Sequence, residues 1–170
     1  MMNRIASQTF LWAGAALALS GVTSCRTPDF VDVSDGALTT LSLVNESGAP
    51  ISAALYKDPA TCRGRSMVRP APAPGQTRQV SVAVGNEVTV SFFQDTGVAI
   101  IGTAATIQGC APTVTFQADA QASYEVRYLN CSVFVSQVSE AGGVLPKSRP
   151  VVVQVRTYTN AFDDSGPFCR

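Results

Sequence analysis

The chain has 170 residues, equal numbers of acidic and basic side chains, and no histidine. Its length suits one domain. Zero net charge argues against nucleic acid, which needs a clear excess of Lys and Arg. The lack of histidine excludes every His-based triad, His general base and His metal ligand. The rest of the composition, rich in Val, Ala, Thr and Ser with 13 Gly and 10 Pro, favours short strands joined by turns.

The chain starts with a single charge, Arg4, followed by an apolar run from Phe10 to Leu19 and then small residues. That order is the anatomy of a secretory signal. The run leads into Val22-Thr23-Ser24-Cys25. This segment resembles the lipobox of bacterial lipoproteins: an aliphatic residue, two small residues and a cysteine. The resemblance implies a diacylglyceryl group on Cys25, cleavage before it and a membrane-tethered product. Arg26 follows where Asp would favour the inner membrane, so the same family analogy points to the outer membrane, facing the periplasm. Three other readings stay open: ordinary signal cleavage after Ala18-Leu19-Ser20, an uncleaved span over Ile5–Ser24, and a buried apolar helix. Cysteine parity favours the lipoprotein. Of five cysteines, lipid on Cys25 leaves Cys62, Cys110, Cys131 and Cys169 for two disulfides in an oxidising compartment. Trp12, the only tryptophan, lies in the signal, so a processed chain fluoresces through tyrosine alone. The expected divisions are a signal over 1–24, a lipidated tether over 25–36 reaching at most about 40 Å, and a domain over 37–170.

From residue 37 the pattern is strand after strand. Ile51, Ala53 and Leu55, then Val80 and Val82, Val88, Val90 and Phe92, Tyr124, Val126 and Tyr128, and Val151, Val153 and Val155 recur with period two. Further strands are expected over 38–45, 98–107, 113–118 and 132–138. About nine strands predict an all-β fold, a single antiparallel β-sandwich of immunoglobulin-like or transthyretin-like form. Pairing Val84 with Val88 puts the valines of 80–84 and 88–92 on one face of a hairpin with a three-residue loop, Gly85-Asn86-Glu87. Strands 132–138 and 151–157 are expected as antiparallel neighbours. On that geometry the tail folds Cys169 back to Cys131, and Cys62 pairs with Cys110 by elimination.

The stretch 56–79 reads as an irregular loop carrying Arg63, Arg65, Arg69 and Arg78 around Pro70-Ala71-Pro72-Ala73-Pro74. A stiff arginine loop suits carboxylate, phosphate or an acidic partner, and it equally suits a solvated surface. If it is a partner-binding loop, changing Arg63, Arg65 and Arg69 to Ser should leave stability nearly untouched. Asp163-Asp164-Ser165-Gly166 reads as a turn rather than a calcium loop. Glu125 and Arg127 read as a surface ion pair. The aromatics Phe92, Phe93, Phe116, Tyr124, Tyr128 and Phe134 read as core or sheet surface. Asn45-Glu46-Ser47 matches a glycosylation sequon that carries no weight in a bacterial chain.

No catalytic motif, cofactor site or metal site stands out. The residues favour a non-enzymatic binding or structural module of the cell envelope. Its partners would be the membrane, through the lipid, and an envelope protein or an anionic ligand. The alternatives are a periplasmic inhibitor or immunity-type protein, resting on the arginine–proline loop, and a hydrolase that works without histidine. Only Lys57 and Lys147 could serve a Ser–Lys pair in the latter.

Overall fold

The computed structural model describes residues 27–83, 87–101, 104–139, 147–159 and 166–170, with backbone alone at 98–101, 104–108 and 147. The lipobox, the acidic turn at Asp163 and most of the loop at Gly85 lie outside them. The fold is all-β, with eleven strands among the described residues: β1 (Leu38–Asn45), β2 (Ser52–Asp58), β3 (Arg63–Val68), β4 (Thr77–Ala83), β5 (Glu87–Ile101), β6 (Ala104–Cys110), β7 (Thr113–Gln117), β8 (Ser123–Leu129), β9 (Ser132–Ser139), β10 (Lys147–Pro150) and β11 (Gln154–Arg156). They form two sheets. The first runs β10-β9-β8-β1-β4 and the second β11-β7-β5-β2-β3, with β6 attached to β5. All pairings are antiparallel except β1 with β8.

Period-two alternation builds the core. Leu41 and Leu43 of β1, Val80 and Val82 of β4, and Tyr124, Val126 and Tyr128 of β8 face Ala53, Leu55, Val88, Val90, Phe92, Val114 and Phe116 of the second sheet. The valines of 80–82 and 88–92 do share one core, but not as a hairpin. β4 pairs with β1, whereas β5 pairs with β2 and β7, so Ala83 ends a strand of the first sheet, Glu87 begins one of the second, and the two rows meet face to face. Of the aromatics expected in the core or on the sheet surface, Phe92, Phe116, Tyr124 and Tyr128 are buried, Phe93 is half-buried, and Phe134 is exposed.

Three further expectations change. Residues 63–68 are a strand, because Ala53–Asp58 supplies a complete antiparallel partner for them. The stretch 98–107 is not one strand but the end of β5 and most of β6, paired as a ribbon. Of the stretch 151–157 only Val151 lies beside β9, its N donating to Val135 O at 3.0 Å. Lys147–Pro150 takes that place, 151–153 crosses to the second sheet, and Gln154–Arg156 pairs with β7.

That crossing reverses the disulfide pairing. The tail starts on the second sheet, so Cys169 reaches Cys62 rather than Cys131. Cys131 sits with Asn130 in the two-residue turn between β8 and β9, both at positive φ as such a hairpin turn requires, and it bonds Cys110 at the end of β6. One bond closes a separation of 107 residues and the other 21. On the chain-entropy account these stabilise by roughly 4–5 and 3 kcal/mol. Non-reducing peptide mapping should recover Cys62 joined to Cys169 and Cys110 joined to Cys131. A peptide joining Cys62 to Cys110 would contradict this topology.

Candidate functional site

Residues 27–33, expected as a free tether, are a strap on the domain. Phe30 N donates to Met67 O at 2.7 Å, and Met67 N donates to Pro28 O at 2.9 Å. The strap thus lies along β3, the edge of the second sheet. It then crosses to β4, the edge of the first, where Val33 N donates to Ser81 O at 3.1 Å and Ser81 N donates to Asp32 Oδ1 at 2.7 Å. Phe30 packs against the core while Val31 faces solvent. One segment thereby covers backbone groups on both edges, which would otherwise template strand addition. Beneath it lies a cavity of about 420 Å³ lined in part by Phe30, Val33, Leu55, Val82 and Val88.

The four arginines do not form one patch. Arg63 is exposed at the start of β3. Arg69 Nε lies 2.8 Å from Asp29 Oδ1, and Arg78 Nη2 lies 3.9 Å from Asp32 Oδ2, so these two hold the strap by exposed ion pairs of modest strength. Arg65 is half-buried. It donates from Nη1 to Tyr158 Oη at 3.0 Å and from Nη2 to Thr27 Oγ1 at 3.2 Å, and its guanidinium lies 4.1 Å from the Phe168 ring centroid. It joins strap and tail at one point, combining cation–π contact with directional donors. Arg127 pairs with Glu125, as expected, and also with Glu46.

The tail forms a second small core. Tyr56, Cys62, Phe168 and Cys169 are buried together, with Tyr158 packed against them. Thr157 and Arg170 exchange backbone hydrogen bonds, each at 3.0 Å, and Phe168 N donates to Cys62 O at 3.2 Å. Below this layer the outer face of the second sheet is lined with buried hydroxyls. Thr113 Oγ1 donates to Ala111 O at 3.2 Å. A hydroxyl has one proton, so Ser91 donates to Thr113 at 2.6 Å and Tyr56 to Ser91 at 2.8 Å. By the same logic Thr89 donates to Pro59 O at 3.0 Å and receives from Thr115 at 2.6 Å. Ser91 is fully buried with its proton committed to Thr113, so this chain of hydroxyls is a packed polar layer rather than a nucleophile facing a cleft. Burial pushes the Tyr56 phenol up to about 12.

Asn45 of the sequon-like triplet is also structural. Its buried amide donates to Ala49 O at 3.0 Å and Pro72 O at 3.2 Å, and its carbonyl accepts from Ser47. It ties the β1–β2 connection to the proline run. Beside Arg65, a surface groove of about 310 Å³ brings Thr27, Phe93, Asp95 and Tyr158 together. Sequence reasoning missed the tail residues Tyr158 and Phe168 and the strap residues Asp29, Phe30 and Asp32. Their one advance signal was the density of aromatic and acidic side chains in segments taken as a tether and a terminus.

Comparison with protein-family models, curated proteins and solved structures finds no match to this chain.

Two predictions follow from this geometry, the first replacing the expectation that Arg63, Arg65 and Arg69 are alike. Arg65→Ser should cost roughly 1–3 kcal/mol, through lost cation–π and hydrogen-bond contacts. Arg63→Ser should stay within about 0.5 kcal/mol. Thermal unfolding of the two variants separates these outcomes, and equal melting temperatures would remove Arg65 from its joining role. The second concerns alkaline pH. Tyr56 ionises at the ordinary phenol value of 10.0 in the unfolded chain and at about 12 when folded. Its contribution to stability is therefore complete below pH of about 10 and is lost as pH rises towards about 12. Tyr56→Phe should flatten that part of the stability–pH curve in denaturant titrations, whereas an unchanged slope would show that other groups cause the fall.

Proposed function

We propose that this chain is a cell-envelope lipoprotein, anchored by lipid on Cys25, whose β-sandwich acts as a non-enzymatic binding or structural module held close to the membrane, most consistently the outer membrane facing the periplasm. The observation that carries the reading is the docked strap. Thr27 is hydrogen-bonded to Arg65, so Arg26 alone separates the folded domain from Cys25, two residue steps away. Two extended residues reach about 7 Å, far less than the tether expected from composition. A domain on so short a leash sits against the headgroups. Cysteine pairing supports the same reading: the chain has five cysteines, four are joined to one another, and Cys25 is the one left over. The inhibitor reading rested on a stapled arginine loop, and three of its four arginines, Arg65, Arg69 and Arg78, are engaged with the chain's own strap and tail.

Metabolic labelling with a fatty-acid probe tests the anchor. The native chain should incorporate label, whereas Cys25→Ala should lose it and accumulate as unprocessed precursor. Label that persists in Cys25→Ala would overturn the reading.

A further inference from the structure

The two disulfides meet water differently. Cys62 and Cys169 are buried in the second small core, at 0% and 4% exposure. Cys110 is half-buried at the end of β6, and Cys131 is exposed in the turn between β8 and β9. Leu129↔Ser132 is the last pair before that turn, so Asn130 and Cys131 form its tip. Their φ angles of 47° and 60° are left-handed. Glycine is the usual second residue of such a turn, and here a cysteine stands in its place. A thiolate attacks whichever sulfur of a disulfide it can reach. Cys131 offers the open approach, whereas Cys110 packs against the main core.

The leaving side is equally uneven. Tyr128 is fully buried, and its Oη lies 3.1 Å from Cys110 Sγ and 3.8 Å from Cys131 Sγ. A disulfide sulfur carries no proton, so the phenol is the donor in both contacts. Its single proton also has Gln94 Oε1 as an acceptor. While the disulfide is intact, that carbonyl is the stronger acceptor and keeps the proton. A thiolate on Cys110 is charged and stronger still, and the proton turns to it. Hydrogen bonding to the charged form lowers the pKa of the departing thiol, and a thiol of lower pKa leaves faster.

We infer that the Cys110–Cys131 bond is a thiol–disulfide exchange site, at which a small external thiol bonds to Cys131 and Cys110 is the leaving group. The external thiolate forms a bond to Cys131 Sγ as the Cys110–Cys131 bond breaks, and the electron pair of that bond departs on Cys110. A second thiolate attacks the external sulfur of the adduct, frees Cys131 as a thiolate and leaves as the external disulfide. Two external thiols are oxidised and one disulfide of the chain is reduced. Opening severs the disulfide that joins the two sheets, because β6 is attached to β5 of the second sheet and the β8–β9 turn belongs to the first. Cys62–Cys169 stays closed between the second sheet and the tail. The site does not depend on lipid at Cys25.

The test uses the full chain, treated first with N-ethylmaleimide to block any thiol at Cys25 and then desalted. Reduced glutathione is the probe. Samples taken over time are quenched with excess deuterated N-ethylmaleimide and mapped as peptides. The expected early product carries glutathione on Cys131 and deuterated maleimide on Cys110, at least tenfold over the reverse, with Cys62–Cys169 intact. Equal adducts on Cys110 and Cys131, or opening of Cys62–Cys169 at the same rate, would overturn the inference. Two variants probe the leaving step. Tyr128→Phe should slow opening several-fold, whereas Gln94→Leu, which removes the competing acceptor, should speed it. Loosened packing alone would move both variants in the same direction. That result, or no change in either, removes Tyr128 from the step and overturns the inference as stated. Should Tyr128→Phe fail to fold, the adduct map of the native chain and the rate in Gln94→Leu still decide.

Discussion

A hydroxyl taken out of water is stable only if its proton finds an acceptor and its surroundings stay dry. Tyr56, Ser91 and Thr113 meet that condition in one directed row ending on Ala111 O, and Thr115 and Thr89 in another ending on Pro59 O. Both rows lie on the outer face of the second sheet, a face that in most sandwiches meets solvent. Here it is covered, so the sheet is buried on both sides, by an apolar core on one and a hydroxyl layer on the other. The need to keep that layer dry explains why the C-terminal segment is stapled to Cys62, why Phe168 is buried, and why Tyr158 packs against Phe93.

The two ends of the chain complete each other at Arg65. Its guanidinium stacks on Phe168 of the tail while its donors reach Tyr158 of the tail and Thr27 of the strap. A lysine could supply the charge but not the planar fork that satisfies two acceptors while lying on a ring. The strap in turn closes one lateral edge of the sandwich, and residues 151–153 close the other as they cross between sheets, with Val151 and Val153 against the core. Edge protection, tail clamping and the position of the chain's exit are thus one mechanical arrangement. The exposed ion pairs of Arg69 and Arg78 trim it, while the backbone hydrogen bonds of Phe30, Met67 and Val33 carry it.

That arrangement changes what a lipid on Cys25 would mean. A free tether of about 40 Å would let the domain sample many orientations and reach partners well away from the bilayer. A docked strap would instead confine it to the surface. Val152 and Val155 are exposed on the side of the sandwich away from the strap.

Local residues settled much of this protein. Alternation of apolar and small polar residues is a property of neighbours along the chain, so the all-β class and the core positions Leu41, Val90, Phe92, Tyr124 and Tyr128 could be read before any coordinates. The proposed export signal and lipobox likewise rest on contiguous residues. Which strands are neighbours was not, because pairing depends on where each connection crosses between sheets. Two such changes of sheet, from β4 to β5 and from β10 to β11, dissolved an expected hairpin and exchanged the disulfide partners. The fate of the arginines was equally hidden: Arg63 and Arg65 are two apart and chemically alike, yet only Arg65 meets an aromatic ring 103 residues further along the chain, at Phe168. Period two assigned Thr89, Ser91, Thr113 and Thr115 to the face opposite the core. Only the tertiary structure could bury that face as well, because the groups that meet it, Pro59 O at Thr89 and the tail residues packed on Tyr56, come from other parts of the chain.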